Sequence, residues 1–553
     1  MKYTFSFQNP SRHYLDIAVE AETKGEETIQ FQLPAWRPGR YELGNFAKNI
    51  QQWEAFDEDG NSLTSKKIAK DLWEVNCKGV KRVEVRYNYF SMDLNAGSTY
   101  LDKYQLYVNP VNCCLYIPTR QEEECFIELQ LPEDYEVATG LSSTGKHEFK
   151  TENYDELADC PFIASNSLKK IIYQVDETVF YLWFQGECKL DEKKLITDFT
   201  KFTRAQMDLF GDFPTKEYHF LFQILPHSAY HGVEHSNSTV IALGPSYAIM
   251  DEKGRYEDLL GVSSHELFHT WNVKRIRPIE MYPYDFSKEN YSRLGYLCEG
   301  ATTWYGDETL KRSAVFEDEA YFKTINQLLY RHFNNPGVEN LSVAESSFDT
   351  WLDGYVPGVP NRKSSIYVEG ALITFILDVI IKKNSSDKYS FDDVMRSFYN
   401  DYYKNGKGIS EADYKEVVER FANQNLDDFF DTYVNKPGNI EKQLKESFNY
   451  VGLSYSRKSV DLFNEAHLGF RYIGDKVYSI FPNSVAEING LSIGDVIHTV
   501  NGYKLNNDLS NWCKYFKDEE IFLGITDSHG IANTVSMNAS DEIYYGKHEV
   551  KRG

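Results

Sequence analysis

Through the first third of the chain, apolar residues recur at every second position. In HYLDIAVEAE (13–22), Leu15, Ile17, Val19 and Ala21 fall on one side of an extended backbone, with Asp16, Glu20 and Glu22 on the other. KYTFSF, IQFQLPAW, RVEVRYNYF and CFIELQL repeat the pattern. Turn signals separate them at RPGR (37–40), EDG (58–60) and LPEDY (131–135). This predicts an all-β, sandwich-like domain over residues 1–170, with the alternation continuing into IIYQVDETVFYLWF.

The period changes near Asp191. DEKKLITDFTKFTRAQMDLFGDFP reads as a helix that stops at Gly211 and Pro214. YHFLFQIL and STVIAL read as strands, and from Tyr256 helical patterns dominate. Residues 371–381, the longest apolar stretch, are too few to span a bilayer and read as a buried helix. A mixed domain with a helical C-lobe is therefore expected over residues 171–445. Strand patterns return at HLGF (467–470), KVYSIF (476–481) and GDVIHTVNG (494–502), predicting a third, β domain over residues 446–553. Three domains also suit 553 residues, at about 150 residues each.

Charge and cysteine content narrow the class. A net charge of −24 repels phosphate backbones, so no nucleic-acid partner is expected. No run of about 18 apolar residues occurs, so no membrane span is expected. The opening stretch alternates like a strand and lacks a signal-peptide core, which points to a cytoplasmic protein. The eight cysteines form no Cys-x-x-Cys pair and read as mostly free buried thiols, with the adjacent Cys113 and Cys114 given no role.

The chemistry-bearing stretch is GVSSHELFHTWNVKRIRP (261–278). His265 and His269 stand one helical turn apart, so both imidazoles can hold one Zn2+ ion per chain. Glu266, beside them, is placed to take a proton from the water the ion activates. The position ten residues after His265 is Arg275, which excludes a third histidine there. Glu280 and Glu289 fall in loop-like stretches, whereas Glu299 opens an apolar-periodic helix, which favours it as the third ligand over a merely capping or solvated carboxylate. In HGVEHSNSTVIAL (231–243), a glycine turn leading into an edge strand, Glu234 could bind a substrate ammonium or be an ordinary loop acid. Tyr367, starting the buried helix, could donate to an oxyanion or be one tyrosine among 40.

Taken together, Gly232-x-Glu234-His235, His265-Glu266-x-x-His269-x-Trp271-Asn272-x-Lys274-Arg275, Glu299-Gly300 and Tyr367-x-x-Gly370 form an ordered series. It resembles the PDZ-containing zinc aminopeptidases of the glycyl aminopeptidase family. LPAWRPGRYELGNFAKNI (33–50) is similar to that family's N-terminal signature, so the likeness covers nearly the whole chain. It implies a thermolysin-like gluzincin domain that removes small N-terminal residues, Gly or Ala, from peptides with a free N-terminus. It makes His265, His269 and Glu299 the metal ligands and Glu266 the general base. Glu234, with Gly232 and His235, would bind the substrate's amino end, and Tyr367 would stabilise the tetrahedral intermediate. His235 stands where relatives carry Asn, and Glu369 where they carry Lys. Residues 446–553 resemble a PDZ domain whose loop His467-Leu468-Gly469-Phe470 would capture a C-terminal peptide. The competing readings are a zinc endopeptidase, which would also cut N-blocked peptides, and a non-catalytic PDZ-type interaction protein, which would show no turnover.

Overall fold

The computed structural model describes residues 1–251 and 254–553. The chain has several domains: a β-rich N-terminal one, then a largely helical region, then a β-rich C-terminal part.

In the N-terminal domain a seven-stranded sheet has Lys2–Ser6 near its centre, parallel to Cys125–Leu129 and antiparallel to Tyr14–Glu22. The alternation read from the sequence is the packing pattern here: Leu15, Ile17, Val19 and Ala21 all face the core. Two smaller sheets, one containing Thr28–Gln32 and one containing Phe162–Ser165, bury their inner faces in the same core. Phe5 and Phe162 meet edge to face there, 5.6 Å apart. The eight cysteines are free and buried.

Next comes a five-stranded sheet in the order Lys169–Val175, Thr178–Gln185, Glu217–Ile224, Ser238–Gly244, Ala229–Glu234. The last of these is an edge strand, and the helix Arg255–Phe268 packs beside it. The expected buried helix is Ile366–Ser385. Apolar side chains lie on every face because helices surround it, with Glu369 and Asp378 as buried acids among them, and Ser365 caps its start by accepting from the Val368 amide.

Two glycines fix how this helix meets the segment Tyr296–Ala301. A Cβ on Gly300 would lie 2.3 Å from Gly370 Cα, and one on Gly370 would lie 2.4 Å from the Tyr296 carbonyl oxygen. Only paired glycines let the two backbones touch at this point.

The C-terminal part has its own core around Phe470, Val477, Ile497 and Leu523. Its sheet ends on the strand Phe470–Ile473. The chain's final strand, Gly546–Arg552, leaves that sheet and pairs with Leu453–Ser459. Asn334 brackets Gly546 with two hydrogen bonds, and Val550 buries itself in the core of the helical region. The sequence stretch HLGF is not one strand. His467 and Leu468 close a π-helical turn, Gly469 takes a left-handed conformation at φ 81°, and Phe470 begins the strand. A β conformation at Gly469 would forfeit the bond from its amide to the Asn464 carbonyl.

Candidate active site

The helix Arg255–Phe268 presents His265 and Glu266, and His269 sits at its C-terminal cap. Gly232 lies inside the edge strand Ala229–Glu234, paired opposite Ile241, and is not the turn expected from the sequence. Its service is clearance: a Cβ there would lie 2.1 Å from Glu266 Oε1. The strand can therefore run directly against the Glu266 carboxylate.

His265 Nε2 and His269 Nε2 are 3.0 Å apart. Glu299 Oε2 lies 3.4 Å from His269 Nε2 and 3.9 Å from His265 Nε2. Ligand atoms about 2.0–2.1 Å from a tetrahedral ion stand roughly 3.3–3.4 Å from each other, so the three side chains suit one small metal ion. Glu299 comes from a π-helical turn, Tyr296–Ala301, that leads into the helix Thr302–Arg312. Such turns recur at functional sites because the extra residue redirects side chains.

Asn272 joins the two halves of this group. Its carbonyl lies 2.6 Å from His269 Nδ1, which leaves Nε2 free to act as a ligand. Its side-chain amide donates to the carbonyls of Leu297 and Cys298, at 2.9 and 3.2 Å, next to Glu299. The residue was visible in the motif, but its role required the tertiary contact.

The other members come from far away in sequence. Tyr41 donates its hydroxyl to Glu299 Oε1 at 3.2 Å, and burial together with Glu299 holds its pKa well above the usual range, so the proton stays on. Gly39, at φ 80°, lies on Glu234: a Cβ there would be 2.4 Å from Glu234 Oε2. Arg37 is buried nearby and feels the Glu234 charge. This stretch is clamped in place. Trp36 donates to the Asp285 carbonyl at 2.8 Å and packs edge-on against Trp351 and Tyr284. The N-terminal signature is thus a wall of the site.

Three buried carboxylates, Glu234, Glu266 and Glu299, surround His269. Glu234 Oε1 and Glu266 Oε2 have no hydrogen-bond partner among the described residues. Burial pushes Glu266 well up, with Glu234 and Glu299 adding to it. At His269 burial opposes a charge, yet Glu234 and Glu299 outweigh it and lift the ring to about 10. The field of this cluster therefore favours positive charge at its centre, and the donor set fits a metal cation.

Tyr367 reaches the same space. Burial first, then Glu299 and Tyr355, hold its hydroxyl well above the usual range, so it can donate but not ionise near neutrality. Tyr355, from the loop before the helix, faces it and is pushed up to about 12 by burial. Glu369 is not turned into the site: its carboxylate meets His332 Nδ1 at 2.6 Å, both side chains buried. His235 turns to Asp159 of the N-terminal domain, 3.1 Å from its Nδ1. Lys274 also binds Asp159, at 2.7 Å. Of the loop His467-Leu468-Gly469-Phe470, Leu468 and Phe470 enter the C-terminal core, while His467 is half-buried with its Nδ1 3.0 Å from the Ser540 carbonyl.

Comparison with known proteins agrees with this geometry. Residues 2–166 match the peptidase M61 N-terminal domain, and residues 258–373 match the M61 glycyl aminopeptidase family. Together the two stretches cover just over half of the chain. No curated protein matches. Among solved structures, an aminopeptidase N family protein from Idiomarina loihiensis is similar over 100% of this chain and 98% of its own, with 24% identity and a TM-score of 0.90. An M1 zinc metallopeptidase variant from Deinococcus radiodurans, bound to a Tyr-Ser-Ala substrate, covers 79% of this chain and 94% of its own, with 12% identity and a TM-score of 0.49. The likeness to the first extends the shared fold across all the domains. With both regions matched, and with His265, His269 and Glu299 of the second converging as a group that could hold a metal ion, the chain belongs to the M61 glycyl aminopeptidase family and is a metallopeptidase.

Proposed function

We propose that this protein is a zinc aminopeptidase that removes small N-terminal residues, Gly or Ala, from peptides with a free amino end. In this reading residues 1–170, 171–445 and 446–553 are the N-terminal β domain, a thermolysin-like catalytic domain and a PDZ-like domain. His265, His269 and Glu299 hold one Zn2+. The observation that carries the reading is the convergence of Glu234, Glu266 and Glu299 on the paired histidines beside an edge strand.

When bound, zinc polarises the scissile carbonyl and makes water acidic enough to attack near neutral pH. Glu266 takes the proton from the attacking water and returns it to the leaving amine. Tyr367 donates to the oxygen that gains charge in the tetrahedral state. Glu234, with a buried unpaired oxygen, binds the substrate ammonium and so limits cleavage to the first peptide bond. Losing such a buried pair costs about 2–5 kcal/mol. Gly232 leaves room for the substrate main chain along the strand edge, and His235 holds the strand's end through Asp159. The C-terminal loop His467-Leu468-Gly469-Phe470 would receive a C-terminal peptide, added as a strand beside Phe470–Ile473.

The test is hydrolysis of Gly-, Ala- and Leu-p-nitroanilide beside N-acetyl-Ala-p-nitroanilide, with the zinc-loaded protein and with Glu266→Gln. The expected result is cleavage of the free-amine Gly and Ala substrates alone, lost in the variant. Equal cleavage of the blocked substrate would replace this reading with an endopeptidase.

A further inference from the structure

The turn that follows His269 carries Lys274, Arg275 and Arg277, all at least nine-tenths buried. With Ser236, Tyr282 and Tyr403 they line a cavity of about 340 Å³. Lys274 is matched by Asp159. The two arginines are not: no carboxylate oxygen lies within 4.0 Å of either guanidinium among the described residues. Arg275 Nη1 donates to the carbonyls of Ser236 and Thr270, at 2.8 and 2.7 Å. Arg277 donates to the carbonyls of Lys274 and Met281, at 3.2 and 3.4 Å, and stacks 3.8 Å from the Tyr284 ring centre. The Nε of each is buried with no partner. The one acid in the cavity wall is Asp155, whose carboxyl is pushed up by burial even though Arg277 pulls it down.

Carbonyl dipoles and a ring face satisfy hydrogens but do not neutralise charge. A buried cation without a counter-charge is costly. Among the described residues, against these two guanidinium groups stand only the charges of Asp155 in the wall and Asp159, the partner of Lys274, and neither carboxylate comes within 4.0 Å of an arginine. Guanidinium groups pair best with planar or tetrahedral oxyanions, through parallel N–H bonds.

We propose that this cavity is a binding site for a small oxyanion of the phosphate or carboxylate class, supplied either as free inorganic phosphate or as the terminal carboxylate of a peptide. The site lies outside the metal-binding group but is tied to it. Arg275 joins Ser236, two residues past Glu234, to Thr270, one past His269. An anion held there neutralises the clasp between the edge strand and the motif turn.

Calorimetric titration of the metal-loaded full chain with inorganic phosphate, at constant ionic strength set with chloride, tests this. Arg277→Gln and Arg277→Lys are titrated in parallel, so that phosphate bound at the metal is common to all three. Saturable binding near one equivalent is expected. It should weaken on the order of tenfold in Arg277→Gln, the loss of one charge-assisted pair, and recover in Arg277→Lys. A second arm titrates an N-acetylated dipeptide and its C-terminal amide. Displacement of phosphate by the acid and not by the amide assigns the site to a peptide carboxylate; displacement by neither assigns it to free phosphate. Identical phosphate binding by wild type and both variants, or no saturable binding in wild type, overturns the proposal.

Discussion

Two buried charge clusters flank the short turn between His269 and Arg277, and they have opposite signs. On one side three carboxylates crowd His269 and favour a cation. On the other, Lys274, Arg275 and Arg277 surround a cavity with only Asp155 in its wall and Asp159 behind it. The first cluster is assembled from three separate stretches of chain. The second comes almost entirely from four consecutive positions. Burial alone does not make a catalytic centre. What distinguishes the first is that its carboxylates, brought together from separate stretches of chain, converge on ring nitrogens, one of them oriented by Asn272.

The sharpest way to break the contrast is to remove the cation site itself. His269→Ala is expected to abolish stoichiometric metal binding and hydrolysis together, as measured by metal analysis and peptide cleavage, while the fold persists by circular dichroism. Glu266→Gln separates binding from proton transfer: metal content should be unchanged and kcat should fall about 10²- to 10⁴-fold. Tyr41→Phe and Asn272→Ala act only through Glu299 and His269, the proposed ligands. Each should weaken metal affinity about 10- to 100-fold in a chelator competition, with Tyr41→Phe showing that the N-terminal domain tunes the site. If neither variant shifts the competition curve, the contacts only pack the domains together.

The smallest effect belongs to the basic side. Burial works against the Asp159 charge, but Lys274 and His235 outweigh it and hold the carboxyl well below its usual range. Its folded pKa is thus lower than the unfolded value of about 3.9, so its stabilisation is full above that pH and is lost as pH falls below it. Asp159→Asn lacks this component. The gap between the two Tm curves should therefore narrow below about pH 4. A constant gap would show that the pair does not govern acid stability.

Much of this was legible in the chain. The period-two strands around Val19 are set by local alternation, and the His-Glu-x-x-His spacing is set by helical geometry, so both could be read from a dozen residues. The buried helix was recognisable from its long, mostly apolar run, interrupted only by Thr374 and Asp378. What could not be read has a common cause. Gly232 looked like a turn because a glycine's need for space beside Glu266 exists only once strand and helix pack. Nothing in residues 33–43 announces that Tyr41 will reach Glu299. HLGF has strand composition, yet a hydrogen bond to Asn464 and the left-handed Gly469 override it. Asn272 stood in the motif without a task because its partners, the carbonyls of Leu297 and Cys298, lie more than a score of residues ahead.

The hydrogen bond from Tyr41 to Glu299 spans 258 positions of the chain. On a ribosome, the N-terminal loop leaves the tunnel long before the carboxylate it will touch has been made. No partial chain lacking Glu299 can hold the complete set of side chains, however well its first domain has folded. A site built this way stays incomplete until more than half of the chain has been made.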